Sequence, residues 1–191
     1  MNTEAFMVST ALVALAEMGD KTQLLSFILA ARLRRPVPIL FGIIVATLAN
    51  HALAGGVGYV LAGWIPRDAM LWIAGVAFIG FGIWVLRPDS LEDGPQLHRA
   101  GAFITTVIAF FLAEMADKTQ FATVALAARF HSLWDVVLGT TLGMLLANAP
   151  AVWVGEKLAA RVPMHAVRII AAVLFLAMGA VTLLGPLQEL I

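Results

Sequence analysis

The sequence predicts an all-α integral membrane protein in which six transmembrane helices form two inverted three-helix repeats. Three observations lead to this fold class: the composition, the spacing of the apolar segments and an internal duplication. Apolar residues make up 61% of the 191 residues and charged residues only 13%, which is too few to cover the surface of a soluble domain. We therefore expect much of the surface to face lipid.

Six apolar segments are each long enough to cross a bilayer, which takes about 20 residues in a helix. Clusters of charged residues and prolines separate them, and proline is tolerated where a helix starts or the chain turns. Pro36 and Pro38 lie at the start of the second span, Pro66 precedes the third, Pro88 and Pro95 lie in the central loop and Pro163 precedes the sixth. The predicted spans cover roughly residues 5–31, 38–63, 68–86, 101–128, 134–157 and 166–185.

An internal duplication relates the two halves of the chain. Residues 17–23 read Glu-Met-Gly-Asp-Lys-Thr-Gln, and residues 114–120 read Glu-Met-Ala-Asp-Lys-Thr-Gln, a spacing of 97. The register extends beyond the motif, since Gly42 matches Gly139 and Pro66 matches Pro163. We therefore divide the chain into a first three-helix repeat at 1–87, a central cytoplasmic loop at 88–100 and a second three-helix repeat at 101–191. Three spans per repeat is an odd number, so the repeats cross the membrane in opposite directions, as in many secondary transporters whose site lies near the midplane.

Lysine and arginine residues are distributed unequally between the two predicted sides of the membrane. One side carries Arg32, Arg34, Arg35, Arg87, Arg99, Lys157, Arg161 and Arg168, and the other carries Arg67 and Arg129. Cytoplasmic loops carry the excess of basic residues. We therefore expect a multi-pass protein with its central loop in the cytoplasm and both termini outside it.

Both copies of the motif place charges near the middle of a predicted span. On a continuous helix, Glu17, Asp20 and Lys21 would share one face, because side chains three and four residues apart are neighbours. The second motif repeats this pattern with Glu114, Asp117 and Lys118. A charge at this depth costs roughly 2.5–3.5 kcal/mol, so these residues must face one another, water or an ion. Inverted symmetry would bring the two motifs together.

The charges of the two motifs point to a divalent cation. Four carboxylates and two lysines leave two negative charges in excess, which one divalent cation or two protons would neutralise. This balance favours exchange of a divalent cation for protons over a simple channel, with the carboxylates titrating as a coupled group. We expect Glu17, Asp20, Glu114 and Asp117 to bind the cation, and Lys21 and Lys118 to compensate charge and couple it to protons. Oxygen ligands suit Mn²⁺ and Ca²⁺, which are substrates here and not cofactors.

Other polar residues within the spans could complete the coordination or hold water beside the ion. These candidates are Gln23, Gln120, Asn50, Asn148, Ser26 and Thr123. A polar residue within a span often serves only as a hydrogen bond between helices, so both roles stay open.

Other classes of function fit the sequence less well. The chain has no cysteine and no basic tract, which excludes a thiolate metal site and gives no sign of nucleic-acid binding. Asp20 and Asp117 could form an intramembrane aspartyl protease, but the adjacent lysines would keep both ionised, whereas a protease pair shares one proton. A membrane scaffold would leave six buried charges without a purpose. We predict a protein that is not an enzyme and needs no cofactor, and the oligomeric state stays open.

The doubled motif resembles that of the GDT-type cation/proton exchanger family, also called uncharacterised protein family 0016, in the LysE transporter superfamily. The resemblance covers essentially the whole chain. It implies a proton-driven exchanger of Mn²⁺ or Ca²⁺ with the four motif acids as ligands. For this short form with two motifs it implies manganese efflux across a bacterial inner membrane. Ala116 departs from the family pattern, which has glycine there as at Gly19, and we expect the two half-sites to differ for this reason.

Overall fold

The computed structural model describes residues 2–87, 101–115, 117–154 and 164–188. Eight α-helices and no strand occur among these residues. The helices are α1 (Thr3–Glu17), α2 (Lys21–Leu33), α3 (Pro36–Trp64), α4 (Arg67–Trp84), α5 (Ala102–Glu114), α6 (Lys118–Phe130), α7 (Leu133–Val154) and α8 (Met164–Gln188). The predicted central loop at 88–100 and the departure at Ala116 lie outside the described residues.

The all-helical membrane-spanning class predicted from composition is confirmed. Among the described residues, four helices are long and apolar enough to cross a membrane: α3, α4, α7 over Leu133–Trp153 and α8 over His165–Leu184. Helix α5 is apolar but shorter. These five helices start within two residues of the starts predicted for their spans. Helix α3, for example, begins at Pro36. Six spans in an inverted arrangement remain a prediction.

The prediction of continuous helices over 5–31 and 101–128 is wrong, because each is interrupted at its motif. Helix α1 ends at Glu17 and α2 begins at Lys21, while α5 ends at Glu114 and α6 begins at Lys118. The acids of one motif therefore do not share a face of one helix. The aspartate of each motif caps the next helix instead, a position that aspartate prefers over a helix interior.

The helix bounds follow the duplication closely. Helices α2 and α6 match at both ends when the chain is shifted by 97 residues, and the starts of α3 and α7 and of α4 and α8 match in the same way. The two halves thus use the same local structure, including the interruption, as expected when the same residues recur at the same places.

The two halves are interleaved, and this interleaving places the motifs side by side. Helix α1 packs against α7, and α5 packs against the equivalent helix α3. Glycine allows these close approaches: a Cβ atom on Gly139 would lie 2.5 Å from the Phe6 carbonyl oxygen, and one on Gly42 would lie 2.7 Å from Thr106 Cβ. Helices α2 and α6 pack against α7 and α3 in the same crossed manner. Each interrupted pair is therefore held by the long helix of the other half.

Two helices depart from this correspondence. Helix α4 packs against α6, and α8 packs against α1. The equivalent pairs would be α8 with α2 and α4 with α5, and neither makes a comparable contact within the described ranges. The α4–α8 pair thus lies toward α1 and α6, and the two halves of the bundle are not equivalent.

Candidate metal centre

The first interruption is built by a glycine and a capping aspartate. Met18 is extended, and Gly19 has φ +77°, a left-handed conformation that glycine adopts without steric cost. The backbone N–H of Gly19 donates to Gln23 Oε1 at 3.0 Å. Asp20 Oδ1 accepts from the backbone N–H of Lys21 at 2.9 Å and caps α2. The chain therefore leaves α1 just after Glu17 and re-enters a helix just after Asp20.

The second interruption has the same plan. Met115 follows the end of α5 with an extended ψ of 126°, and Asp117 precedes α6 with φ −81° and ψ 164°. In both motifs the glutamate is the last residue of one helix and the aspartate stands directly before the next. Four helix ends are thus placed within the bundle with an acid at each.

The structure brings acids of the two motifs together. Glu17, Glu114 and Asp117 each offer a carboxylate oxygen, and these oxygens lie within 4.8 Å of one another. Glu17 and Glu114 are completely buried, and Asp117 is 4% exposed. Three of the four predicted acids therefore come together, at helix ends and not on helix faces, and Asp20 is not among the acids whose oxygens lie within this distance.

Two crossed ion pairs join the motifs. Lys21 Nζ lies 3.0 Å from Asp117 Oδ1, and Lys118 Nζ lies 2.7 Å from Asp20 Oδ2. Each lysine thus neutralises the aspartate of the other motif. The Lys118–Asp20 pair is the deeper one, with side chains only 5% and 2% exposed, whereas the side chain of Lys21 is 18% exposed.

Each glutamate also accepts a hydrogen bond from a threonine of its own motif. Thr22 donates a hydrogen bond to Glu17 Oε2, and Thr119 donates to Glu114 Oε2 at 3.1 Å. The second oxygen of each glutamate, Oε1, is buried without a hydrogen-bond partner among the described residues. Asp117 Oδ2 is also buried without a hydrogen bond in that part of the chain. Buried carboxylate oxygens of this kind are stabilised by a cation or a proton.

The predicted additional ligands fall into two groups. Asn50 donates from Nδ2 to the Phe111 carbonyl oxygen at 2.9 Å, and its Oδ1 atom accepts no hydrogen bond within the described residues. Asn148 differs, because its Oδ1 accepts from Ser26 Oγ at 2.8 Å. Asn50 therefore has an oxygen to offer to an ion and contacts Phe111, which lies one turn before Glu114 in α5, whereas Asn148 and Ser26 bind each other.

The remaining candidates link helices or their own turns. Gln23 donates from Nε2 to the Ala147 carbonyl oxygen at 2.9 Å, which ties the first interruption to α7. Thr123 donates to the Thr119 carbonyl oxygen at 2.8 Å. Gln120 is the third residue of α6 and is half-buried.

Sequence reasoning missed three contributors to this site. Thr22 and Thr119 belong to the repeated motif, so the duplication itself could have identified them. The third is Arg168 on α8, whose Nη2 donates to the carbonyl oxygen of Gly19 at 2.8 Å. In the sequence its basic charge indicates only membrane orientation, and the equivalent position in the first repeat is Leu71, so the duplication gives no signal for this contact.

The donor set fits a hard or borderline divalent cation. All the converging atoms are oxygens, and Ca²⁺ binds oxygen at about 2.3–2.6 Å, so a single ion could contact oxygens that lie up to 4.8 Å apart. The C-terminal ends of α1 and α5 bring the negative end of a helix dipole to the glutamates, and the N-terminal ends of α2 and α6 bring the positive end to the aspartates.

Comparison with known proteins also points to a divalent cation. The profile of the family described as "Divalent cation/proton antiporter GDT1" matches residues 5–93 and 102–189. The "Putative manganese exporter" of Vibrio cholerae serotype O1 is 47% identical over 92% of this chain and 88% of its own length. "GDT1-like protein 5" of Arabidopsis thaliana is 28% identical over 97% of both chains, and "GDT1-like protein sll0615" of Synechocystis is 28% identical over 90% of this chain and 92% of its own. No solved structure matches. The chain belongs to the GDT1 family of divalent cation/proton antiporters.

Proposed function

We propose that this protein is a secondary transporter that exports Mn²⁺ in exchange for protons, through a site built from the paired Glu-x-x-Asp motifs. The observation that carries the proposal is the approach of Glu17, Glu114 and Asp117 oxygens to within 4.8 Å in a buried position between the two repeats. The name of the Vibrio cholerae relative supports manganese as the cation.

The ion pairs sharpen the charge argument. Because each aspartate is paired with the lysine of the other motif, Glu17 and Glu114 are the two motif acids without a basic partner in the described part of the chain. One divalent cation neutralises both glutamates, and so do two protons. Cation binding should therefore release protons, which is the linkage that an exchanger needs.

The buried position of the acids requires movement. Glu17 and Glu114 have no exposed surface, so an ion reaches them only when the surrounding helices shift. We propose six spans in two inverted repeats, with α1–α2 and α5–α6 each acting as one interrupted span. Interrupted helices around a midplane site are typical of transporters that alternate access between the two sides.

The asymmetry of the bundle suggests what the alternate state is like. In the present state α8 packs on α1 and α4 packs on α6, and Asp117 joins the cluster of glutamates. In a transporter with inverted repeats, the state open to the other side of the membrane exchanges the roles of the two repeats. We propose that α8 then packs on α2, α4 packs on α5, and Asp20 takes the place of Asp117. The proposed orientation has the central loop in the cytoplasm and both termini outside it, in the inner membrane.

Transport by purified protein in proteoliposomes tests the function. Vesicles with an internal pH dye are given Mn²⁺ or Ca²⁺, and cation uptake and proton movement are followed together. We expect coupled movement by the wild type and loss of nearly all exchange in Glu17→Gln, Asp20→Asn, Glu114→Gln and Asp117→Asn. Glu4→Gln and Asp68→Asn, which change exposed acids, are the matched controls and should behave as the wild type. Wild-type exchange in two or more of the motif variants would contradict the site.

The same assay separates the alternatives. A Ca²⁺/H⁺ exchanger uses the same donors and would move Ca²⁺ in preference to Mn²⁺. A scaffold would move neither. An intramembrane protease is disfavoured because Asp20 and Asp117 are each paired with a lysine and do not share a proton, and the family to which the chain belongs is one of transporters.

A further inference from the structure

A polar cavity lies at the end of the bundle opposite the predicted central loop. It has a volume of about 400 Å³ and is lined by the start of α1, the start of α4, the end of α6 and the last part of α8. Arg67 and Arg129, the two basic residues predicted on this side of the membrane, both line it. Glu4 is the one acid among the lining residues, so basic side chains outnumber acidic ones.

One of these arginines is held in place. Arg129 Nε donates to Thr182 Oγ1 at 3.3 Å, and its guanidinium lies 5.4 Å from the centre of the Phe130 ring. A guanidinium carries five N–H donors, and this bond uses one of them. Arginine binds phosphate oxygens through paired hydrogen bonds, so a second arginine at the same cavity suits a phosphate group.

An apolar groove leads away from this cavity toward the middle of the membrane. Its volume is about 190 Å³, and it shares Met70 and Ala128 with the polar cavity. Along α4 it is lined by Met70, Ile73, Ala74, Ala77 and Phe81, a spacing that follows one face of a helix. The opposite wall is a face of α6 that ends at Phe121.

The groove has the length of one leaflet. From Met70 to Phe81 a helix rises about 16 Å, which is about half of the 30 Å hydrocarbon thickness of a bilayer. A cavity with two arginines at the membrane edge, continuous with an apolar groove of leaflet depth, matches the chemistry of a diacyl phospholipid. We propose that this is a phospholipid-binding site, with the phosphate at Arg67 and Arg129 and an acyl chain between α4 and α6.

Another groove of the protein provides a comparison. A cavity of about 250 Å³ between α3 and α7 is lined by apolar residues, including Phe41 and Ala149, and has no charged residue in its lining. We expect bulk lipid to occupy this groove without selection for a phosphate.

Native mass spectrometry of the full chain tests the proposal. The purified protein is transferred to a lipid-free detergent and incubated with dioleoyl phosphatidylglycerol or with dioleoylglycerol, which has the same acyl chains and no phosphate. We expect one phosphatidylglycerol to be retained per chain and dioleoylglycerol to be lost. Arg67→Ala combined with Arg129→Ala should lower the bound fraction about tenfold, because charge-assisted hydrogen bonds to the phosphate are lost. Arg34→Ala combined with Arg35→Ala removes two exposed arginines elsewhere and should leave retention unchanged.

Filling the groove gives a second, independent test. Ala77→Trp should displace the acyl chain, whereas Ala149→Trp, a matched change in the comparison groove, should not affect retention. Arg67 is exposed, so Arg67→Ala alone should fold normally and show a smaller loss in the same direction. Equal retention of the two lipids, equal loss in both arginine pairs, or full retention in Ala77→Trp would overturn the proposal.

Discussion

The ammonium group of Lys118 lies 2.7 Å from Asp20 Oδ2, so the basic residue of the second motif neutralises an acid of the first. With the reciprocal contact of Lys21 to Asp117, it ties the two halves of the chain at the point where both interrupted helices meet. It also leaves Glu17 and Glu114 as the motif acids that form no ion pair with a described lysine or arginine.

The crossed ion pair predicts a non-additive effect on stability. Lys118→Met removes the ammonium group that lies 2.7 Å from the buried Asp20 carboxylate, and Asp20→Asn removes the carboxylate that lies 2.7 Å from the buried Lys118. Removing one partner of a buried pair costs about 3–5 kcal/mol, whereas replacing both can be nearly neutral. We therefore expect the double variant to have a higher apparent melting temperature in detergent than either single variant. A double variant that is the least stable of the three would contradict the pairing. Lys21→Met, which removes a more exposed lysine, should have the smaller effect.

The two asparagines should respond differently to substitution. Asn50 Oδ1 has no hydrogen bond among the described residues, whereas Asn148 Oδ1 is bonded to Ser26. Asn50→Ala should therefore weaken Mn²⁺ binding about tenfold, the loss of one favourable oxygen contact. Asn148→Ala should mainly lower the melting temperature. Titration calorimetry with Mn²⁺ and thermal unfolding measure the two effects, and a reversal of this pattern would show that Asn50 is structural.

Arg168 should stabilise the first interruption. Its hydrogen bond to the Gly19 carbonyl oxygen joins α8 to the loop between α1 and α2. Arg168→Gln removes a charge-assisted bond worth about 1.5–3 kcal/mol, so opening of this segment should become roughly tenfold or more frequent. Hydrogen–deuterium exchange of residues 18–20 should accelerate, with Arg168→Lys intermediate. Arg87→Gln, at an exposed arginine, is the control and should leave the exchange unchanged.

Two glycines of α3 form a matched pair for helix packing. A Cβ atom on Gly58 would lie 2.1 Å from the Val124 carbonyl oxygen of α6, whereas one on Gly56 would meet nothing within 4 Å. Gly58→Ala must push α3 and α6 apart, at a cost of about 1–3 kcal/mol or more. Gly56→Ala should be neutral or slightly stabilising. Melting temperatures in detergent compare the two, and equal values would mean that α3 and α6 do not pack this closely.

Much of the site was predictable because the motif that forms it occurs twice in the sequence. The motif appears twice, and buried charges of both signs must compensate one another, so the meeting of Glu17 with Glu114 follows from the sequence. The interruptions were missed although Gly19-Asp20 is a local signal for a helix end followed by a cap. The length of the apolar segments favoured continuous helices, and Ala116 removes the glycine signal from the second copy.

The sequence by itself determined that the chain lies in a membrane, that it is duplicated and that acids from both halves must share a site. These conclusions depend on apolar length and on the cost of burying charge, and both are properties of the residues alone. Only the tertiary structure decided that each lysine pairs with the aspartate of the other repeat, that Glu17 and Glu114 accept hydrogen bonds from threonines, and that Arg168 contacts the first motif, where the equivalent position of the first repeat is Leu71. The reason is that Asp20 and Lys21 are adjacent in the chain, and the packing of α2 and α6 against the opposite repeat decides which partner each one finds.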